Sequence, residues 1–476
     1  MDNNNLKKKT LKGAIWASVE RFSGQGIQFL VMIVMARLLS PADYGLVGMV
    51  VVFTAISQTL IDGGFSQALI RKQNRTDIDN STAFYFNSAI GAILYILLYI
   101  SAPVVADFYK EPSLTEVMRG ISLTVVFNSL AIVQIALYTS RVDFKTQSKA
   151  TITAAIISGI VGIVTAYNGA GVWALVYQQV SNSFLYCVLL WTFSRWYPKL
   201  CFSMSSFKEM FAFGSRILAS SLLNTIYNNL YQLVIGKIFN ASSLGHYSRA
   251  SHFSDFPSAN VSGVLQRVTY PVLCNLQNDD IKLADVYRKF IRISTFIIFP
   301  LMMILAGISK SFIYIVLGEK WMYCATLLTI LCFSRMWYPI HHLNVNLIQA
   351  KGRSDLTLRI EVYKKIIGVL VLIISAPLGL LAMCYAAIIN CLISLYINTF
   401  YTGKIIQIGF MEQMKDVFPS CILSFVVFLS ISFLDKIIQD RIFMLIIGIL
   451  LGSVLYIGLA FLFKFKELKE IKTLMR

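Results

Sequence analysis

The sequence contains few charged residues, and this scarcity excludes a water-soluble globular protein. Asp, Glu, Lys and Arg make up 14% of its 476 residues, whereas 57% are hydrophobic and the mean hydropathy is +0.67. Soluble domains carry about 25% charged residues. Many apolar segments here approach the roughly 20 residues with which a helix crosses a bilayer. We therefore predict an all-α, polytopic membrane protein.

Three further absences narrow the class of function. The eight cysteines are scattered and include no Cys-x-x-Cys pair, which argues against disulfides and metal ligation. The phosphate-binding sequence Gly-x-x-x-x-Gly-Lys-Ser/Thr is missing, and the predicted loops are too short for a nucleotide-binding or catalytic domain. We therefore expect a secondary transporter or facilitator that is not an enzyme and uses no metal or cofactor. Coupling to a proton, to sodium or to the membrane potential is left open.

The apolar segments divide into fourteen predicted spans connected by short polar loops. The first segment is longer than the apolar core of a signal peptide, so we expect it to be retained. The predicted spans are 13–36, 45–69, 81–106, 120–140, 150–167, 172–194, 211–236, 246–270, 291–309, 323–349, 358–377, 380–401, 417–434 and 442–463.

Basic residues outnumber acidic ones by 42 to 24, and their distribution predicts the orientation. If the N-terminus is cytoplasmic, 29 of the 42 lie in the tails, loops and adjoining span ends on that side, 8 lie on the opposite side and the other 5 lie within spans. Cytoplasmic loops of membrane proteins are enriched in Lys and Arg. The net charge of +18 therefore does not require a nucleic acid partner. We predict a multi-pass inner (plasma) membrane protein with both termini in the cytoplasm.

Two halves of the sequence correspond at an offset of about 200 residues. The turn RLLSPADYG (Arg37–Gly45) matches KIFNASSLG (Lys237–Gly245), and Asp43 is expected to cap the second span. Transporters often contain such repeats, with the substrate site between them. We predict two six-helix lobes related by a pseudo-two-fold axis, followed by an accessory helix pair with a cytoplasmic tail. The predicted bounds are 1–205, 206–403 and 404–476.

Polar side chains within the predicted spans concentrate in the first two spans of each half. Such groups are costly at membrane depth and usually face the bundle interior or a wet cavity. Helical spacing places Asn224 with Asn228 on one face, and Arg249 with His252 and Asp255 on another. We predict a cationic polar substrate cavity lined by Glu20, Arg21, Gln28, Asp62, Arg216, Asn224, Asn228, Arg249, His252, Asp255 and Arg335. The alternative is that these charges pair with one another or extend to the membrane interface.

Two stretches resemble a known family. These stretches are the opening LKGAIWASVERFSGQGIQFLVMIVMARLLSPADYGLVGMV (Leu11–Val50) and the segment GGFSQALIRK (Gly63–Lys72). Both are similar to Wzx-type polysaccharide exporters of the colanic-acid-exporter-like branch. These exporters belong to the multidrug/oligosaccharidyl-lipid/polysaccharide superfamily. The resemblance extends over essentially the whole chain and is less specific in its second half.

This resemblance implies a flippase for polyprenyl-diphosphate-linked oligosaccharide units, which relatives deliver for O-antigen, capsule or exopolysaccharide assembly. It also implies two lobes that alternate in access, with undecaprenyl-type lipid-linked sugars and membrane lipids as partners, alongside a polymerase and glycosyltransferases. A drug or cation antiporter of the same superfamily is the alternative. The excess of intramembrane arginine over carboxylates argues against it, and an intramembrane polymerase or ligase is disfavoured by the short outer loops.

Overall fold

The computed structural model describes Trp16, residues 23–468 and Glu470. Within those residues the chain forms helices and no strand, which confirms the predicted all-α class. The first eight helices are α1 (Ser23–Leu38), α2 (Pro41–Asp62), α3 (Phe65–Arg71), α4 (Asp77–Tyr109), α5 (Leu114–Ser140), α6 (Phe144–Tyr167), α7 (Val172–Phe193) and α8 (Met204–Ile238).

Nine further helices follow in the described part of the chain. They are α9 (Ala241–Asn275), α10 (Asp280–Gly307), α11 (Ser309–Val316), α12 (Met322–Arg335), α13 (Tyr338–Ala350), α14 (Ser354–Ser375), α15 (Leu380–Ile406), α16 (Phe410–Ile437) and α17 (Arg441–Leu462). A short 3₁₀ turn, Ala376–Leu378, separates α14 from α15 at the boundary predicted near residues 377–380.

Eight helical segments among the described residues are long and apolar enough to cross a membrane: Pro41–Arg71, α4, α5, α6, α10, α15, α16 and α17. The protein is therefore a multi-pass membrane protein, and the total of fourteen spans stays a prediction. Helices α8 and α9 have 35 residues each, ample to cross a bilayer, yet they fall outside this set because they are more polar.

The second predicted span, 45–69, differs from the observed helices. Helix α2 begins earlier, at Pro41, because the Ser40 hydroxyl accepts from the Asp43 amide while the Asp43 carboxylate accepts from the Ser40 amide. Ser40 is therefore the N-cap, and Asp43 completes the capping box. The helix ends at Asp62 because Gly63 and Gly64 adopt φ values of 49° and 75°.

The predicted span 323–349 is also divided, into α12 and α13. Met336 and Trp337 separate the two helices. Pro339 lies in the first turn of α13, where the missing proline amide has no helical partner to lose. The span was predicted without a break, although the sequence contains this proline.

The chain divides into two compact units, Met1–Gly245 and His246–Arg476. Helix α8, the first helix of the second sequence half, lies in the first unit, where it packs against α2 and α4. The lobes predicted at 1–205, 206–403 and 404–476 follow the sequence repeat and stay a prediction.

The second unit has an apolar core that joins the last two helices to α10. Val427 and Ile431 of α16 and Met444 of α17 are fully buried, and they belong to one cluster with Phe296 and Ile308. The predicted accessory pair is therefore packed firmly into this unit. Its outward side remains apolar, as expected for helices in contact with lipid.

Candidate functional site

Helix α8 presents an exposed polar face along much of its length. Asn224 and Asn228 are exposed and lie one helical turn apart, and Arg216 is exposed nearer the helix start. Thr225 borders this face and packs on α2, where its hydroxyl shares a hydrogen bond of 2.9 Å with the Thr59 hydroxyl. Because Asn224 and Asn228 themselves are exposed, the predicted amide stripe is accessible.

Close backbone packing holds α8 in place near its start. A Cβ atom on Gly64 would lie 2.6 Å from the Gly214 Cα atom, so the two backbones meet without an intervening side chain. Lys72 adds an ion pair to Glu209 at 2.8 Å and another to Asp79 at 3.0 Å. These two carboxylates raise the pKa of the Lys72 ammonium group. The polar face of α8 is thus presented by a helix that is fixed at its N-terminal end.

Helix α9 presents three predicted cavity residues on one face. His252 is exposed, while Arg249 and Asp255 are half-buried. The Ser251 hydroxyl donates to the Asp255 carboxylate over 2.9 Å. The spacing of three residues places these side chains along one stripe of the helix, as the sequence predicted.

Two residues predicted separately for the cavity, Asp255 and Arg335, form an ion pair. The Arg335 Nε atom lies 2.6 Å from the Asp255 Oδ1 atom, and the arginine side chain is only 17% exposed. The Arg335 guanidinium also contacts the Tyr338 hydroxyl and stacks on its ring, 4.9 Å from the centroid. The alternative of mutual charge pairing therefore applies to Arg335.

The backbone carbonyl group of Arg335 is hydrogen-bonded to α9, the helix that also carries Asp255. The Ser258 hydroxyl of α9 donates to the Arg335 carbonyl oxygen over 2.7 Å. In a continuous helix that carbonyl would accept from residue 339, which is Pro339 and has no amide hydrogen. The break between α12 and α13 is thus bonded to α9 immediately beside the ion pair.

Two further predicted site residues lie on the first two helices. Gln28 is exposed on α1, and Asp62 is half-buried at the end of α2, where its carboxylate accepts from the Ser66 amide. Glu20 and Arg21 lie outside the described residues. Within the described part of the chain, no group of three His, Cys, Asp or Glu residues is placed to hold a metal ion.

A buried polar cluster in the second unit was missed by the sequence analysis. The side-chain amides of Asn344 and Gln413 bond reciprocally at 3.1 and 3.2 Å, and the Thr402 hydroxyl donates to the Asn344 Oδ1 atom over 2.6 Å. All three residues are fully buried. Asn344 falls inside the predicted span 323–349, whereas Gln413 falls in a predicted polar loop, so no pattern in the sequence related the two.

A second missed feature joins the two matching turns of the repeat. The Ser243 amide donates to Asn240 Oδ1 over 2.8 Å, so Asn240 caps α9 as Ser40 caps α2. A Cβ atom on Gly45 would lie 1.7 Å from the Ala241 carbonyl oxygen. One on Gly245 would lie 1.8 Å from the Pro41 carbonyl oxygen. The two turns therefore pack against each other reciprocally.

Comparison with known proteins places the chain in a family. Residues 34–326, more than half of the sequence, match the family model described as "Polysaccharide biosynthesis protein". The chain belongs to this polysaccharide biosynthesis protein family. The predicted resemblance is thereby confirmed.

Two curated relatives of this polysaccharide biosynthesis protein extend over most of its length. The teichuronic acid biosynthesis protein TuaB of Bacillus subtilis is 25% identical over 74% of this chain and 73% of its own. The lipopolysaccharide biosynthesis protein WzxC of Escherichia coli is 24% identical over 82% of this chain and 81% of its own.

The solved structures show the same fold. The lipid II flippase MurJ, in an inward closed conformation, is 15% identical and superposes with a TM-score of 0.77. The superposition covers 96% of this chain and 99% of MurJ. This family member therefore shares the fold of MurJ.

The geometry of α8 and α9 defines what the family member can bind. Exposed amides on α8 can donate to and accept from hydroxyl groups, as a sugar requires. Arg216 and Arg249 carry permanent charge and planar donor groups that match phosphate oxygens. Arg335 is paired with Asp255, whereas Arg216 is exposed on α8 and Arg249 is half-buried on α9.

Proposed function

We propose that this protein is a flippase for polyprenyl-diphosphate-linked oligosaccharide units. It moves them across the inner membrane for O-antigen, capsule or exopolysaccharide assembly, by alternating access around a cationic polar cavity. One observation carries the proposal: two 35-residue helices, each long enough to cross a bilayer, carry amides and an arginine exposed on α8 and the half-buried Arg249 on α9. Such helices need a polar partner at membrane depth.

The relatives support a lipid-linked sugar as the substrate class. TuaB and WzxC are named for the biosynthesis of teichuronic acid and lipopolysaccharide, and MurJ is named as a lipid II flippase. In this chain the amide stripe of α8 suits the sugar, and Arg216 and Arg249 suit the diphosphate. The drug or cation antiporter is less well supported, because a cationic ligand would meet arginines and a carboxylate, Asp255, that is already paired.

The remaining features of the proposal follow from the sequence. The distribution of Lys and Arg supports an inner-membrane orientation with both termini in the cytoplasm. A polymerase and glycosyltransferases are proposed as functional partners, because they consume and produce the lipid-linked unit. The protein is proposed to act without catalysis or a bound cofactor, driven by a proton gradient, a sodium gradient or the membrane potential.

The experiment replaces Arg216 and Arg249 with alanine, singly and together, in a strain that depends on this protein for its surface polymer. We expect surface polysaccharide to fall at least tenfold in the double variant while lipid-linked units accumulate, because the diphosphate loses its charge partners. Arg353→Ala is the matched control, since Arg353 forms an exposed ion pair with Asp355 outside the polar helices.

Two results would contradict the proposal. Normal surface polymer in the double variant, with the protein inserted at its usual level, would remove the role of the arginines. A deletion strain that gains drug sensitivity but keeps its surface polymer would support the antiporter instead.

A further inference from the structure

An apolar groove runs between α14 and α15 in the second unit. Its volume is about 400 Å³, which lies within the range of sites that bind small molecules. The seven lining residues are Tyr363, Ile366, Ile367, Tyr396, Ile397, Phe400 and Tyr401. Four of them are aromatic, and none is Ser, Asn or Gln. The groove therefore suits a hydrocarbon chain and not a sugar.

Basic residues occur at one end of this groove, on both of its helices. Arg359 lies one helical turn before Tyr363 on α14, and it is exposed. Lys404 lies one turn after Phe400 on α15, with its Nζ atom 4.4 Å from the centre of the Phe400 ring. Because α14 and α15 are consecutive helices joined by the Ala376–Leu378 turn, both cations lie at the end of the groove away from that turn.

The nearby carboxylates do not neutralise the charges of Arg359 and Lys404 at this end of the groove. Glu361 is bonded to Lys364 within α14. Glu412 accepts from the Gly409 amide over 3.0 Å at the start of α16. The groove thus combines an apolar slot with two cations at its mouth, which is the chemistry of a lipid with an anionic headgroup.

We propose that this groove holds an anionic glycerophospholipid. One acyl chain lies among the aromatic side chains, and the phosphate lies between Arg359 and Lys404. The predicted orientation places this end of α14 and α15 at the cytoplasmic leaflet, where anionic lipids are found. Tyr363 and Tyr396 are about half exposed and have the amphipathic ring that favours the membrane interface.

The occupant is a resident lipid and not the transported one. The polar helices α8 and α9 contribute no residue to the groove, and the hydroxyls of its three tyrosines are the only hydrogen-bonding side-chain groups among its lining residues. This inference goes beyond the proposed flippase function, because it concerns a second lipid site with different chemistry. It is tested by binding alone.

The experiment measures bound lipid on the purified full-length protein by native mass spectrometry. Phosphatidylglycerol and phosphatidylcholine with identical acyl chains are offered at equal concentration. Two basic residues near the headgroup predict a preference of about 30-fold for phosphatidylglycerol. Arg359→Gln with Lys404→Gln should abolish the preference, and Ile366→Trp should reduce binding of both lipids by filling the slot.

Lys237→Gln is the matched control. The Lys237 Nζ atom also lies over a phenylalanine, 4.2 Å from the Phe108 ring centre, but none of the groove residues adjoins it in sequence. This control should keep the full preference. Unchanged thermal unfolding in the groove variants separates lost lipid binding from lost folding.

Two outcomes overturn the inference. Equal binding of the two phospholipids by the unmodified protein would remove the anionic site. Displacement of phosphatidylglycerol by undecaprenyl phosphate, with that binding lost in Ile366→Trp, would assign the groove to the polyprenyl carrier instead. Neither outcome depends on whether the protein proves to be a flippase, because transport is not measured.

Discussion

The reciprocal contact between the two matching turns predicts that alanine is not tolerated at Gly45 or Gly245. The change adds a single methyl group, and in a helix that group ordinarily stabilises. Replacing glycine with alanine at a compatible helical site raises stability by about 0.4–1 kcal/mol. At these two positions we expect the opposite sign, because each new methyl group meets a carbonyl oxygen of the other turn.

The size of the effect follows from the distances. A Cβ atom on Gly45 would lie 1.7 Å from the Ala241 oxygen, and one on Gly245 would lie 1.8 Å from the Pro41 oxygen, whereas real Cβ atoms essentially never approach closer than 3.0 Å. The turns must therefore move apart by more than an ångström. Because the opposing atoms belong to backbone, no side chain can rotate away. We expect Gly45→Ala and Gly245→Ala each to lower the free energy of unfolding by about 1–3 kcal/mol.

The assay combines thermal unfolding with a distance measurement between spin labels at positions 42 and 242, one on each turn. Gly26→Ala and Gly458→Ala are the controls, because a Cβ atom at either helical glycine has nothing within 4 Å. We expect longer or broader label distances and earlier unfolding only in the Gly45 and Gly245 variants. If all four variants unfold alike and the label distances are unchanged, the close packing of the turns is refuted.

Two further predictions concern the second unit. Asp416→Asn should lower the free energy of unfolding by about 1–3 kcal/mol, measured by thermal unfolding, since it weakens the two bonds of 2.7 and 2.9 Å from Arg288. The exposed Asp355→Asn is its control, and equal shifts in both would contradict this reasoning. Gln413→Leu should lower the free energy of unfolding by about 1–3 kcal/mol, because it removes one hydrogen-bond partner of the buried Asn344 amide group. Adding Asn344→Leu should then cost less than the sum of the single changes, and strict additivity would exclude the reciprocal amide pair.

Local signals in the sequence were sufficient for the positions of the turns. The matching sequences RLLSPADYG and KIFNASSLG predict turns, and each contains the N-cap of the helix that follows, Ser40 for α2 and Asn240 for α9. Their common spacing also revealed the repeat. Asp43 shows the limit of such reasoning. It was expected to cap the second span, whereas Ser40 is the N-cap of α2 and Asp43 completes the capping box.

Pairings between distant residues could not be predicted in this way. Asp255 and Arg335 were both assigned to the cavity, but 80 residues separate them in the sequence and nothing local relates them. Asn344 and Gln413 were missed altogether, because 69 residues separate them and Gln413 lies among charged residues in a predicted loop. The helix break at Pro339 shows a third case, in which a hydroxyl from another helix satisfies the backbone.

The contact between the turns nevertheless follows from the repeat once the fold is known. When two similar segments pack around a local two-fold axis, residue i of one meets residue j of the other, and the reverse contact follows by symmetry. Here Gly45 meets Ala241 and Gly245 meets Pro41, which are equivalent positions at an offset of 200. Gly45 and Gly245 must both be glycine, because each one faces a backbone carbonyl oxygen of the other turn that leaves no room for a Cβ atom. In each close approach a glycine meets a backbone carbonyl group, so a side chain at either position would meet atoms that no rotamer change can move away.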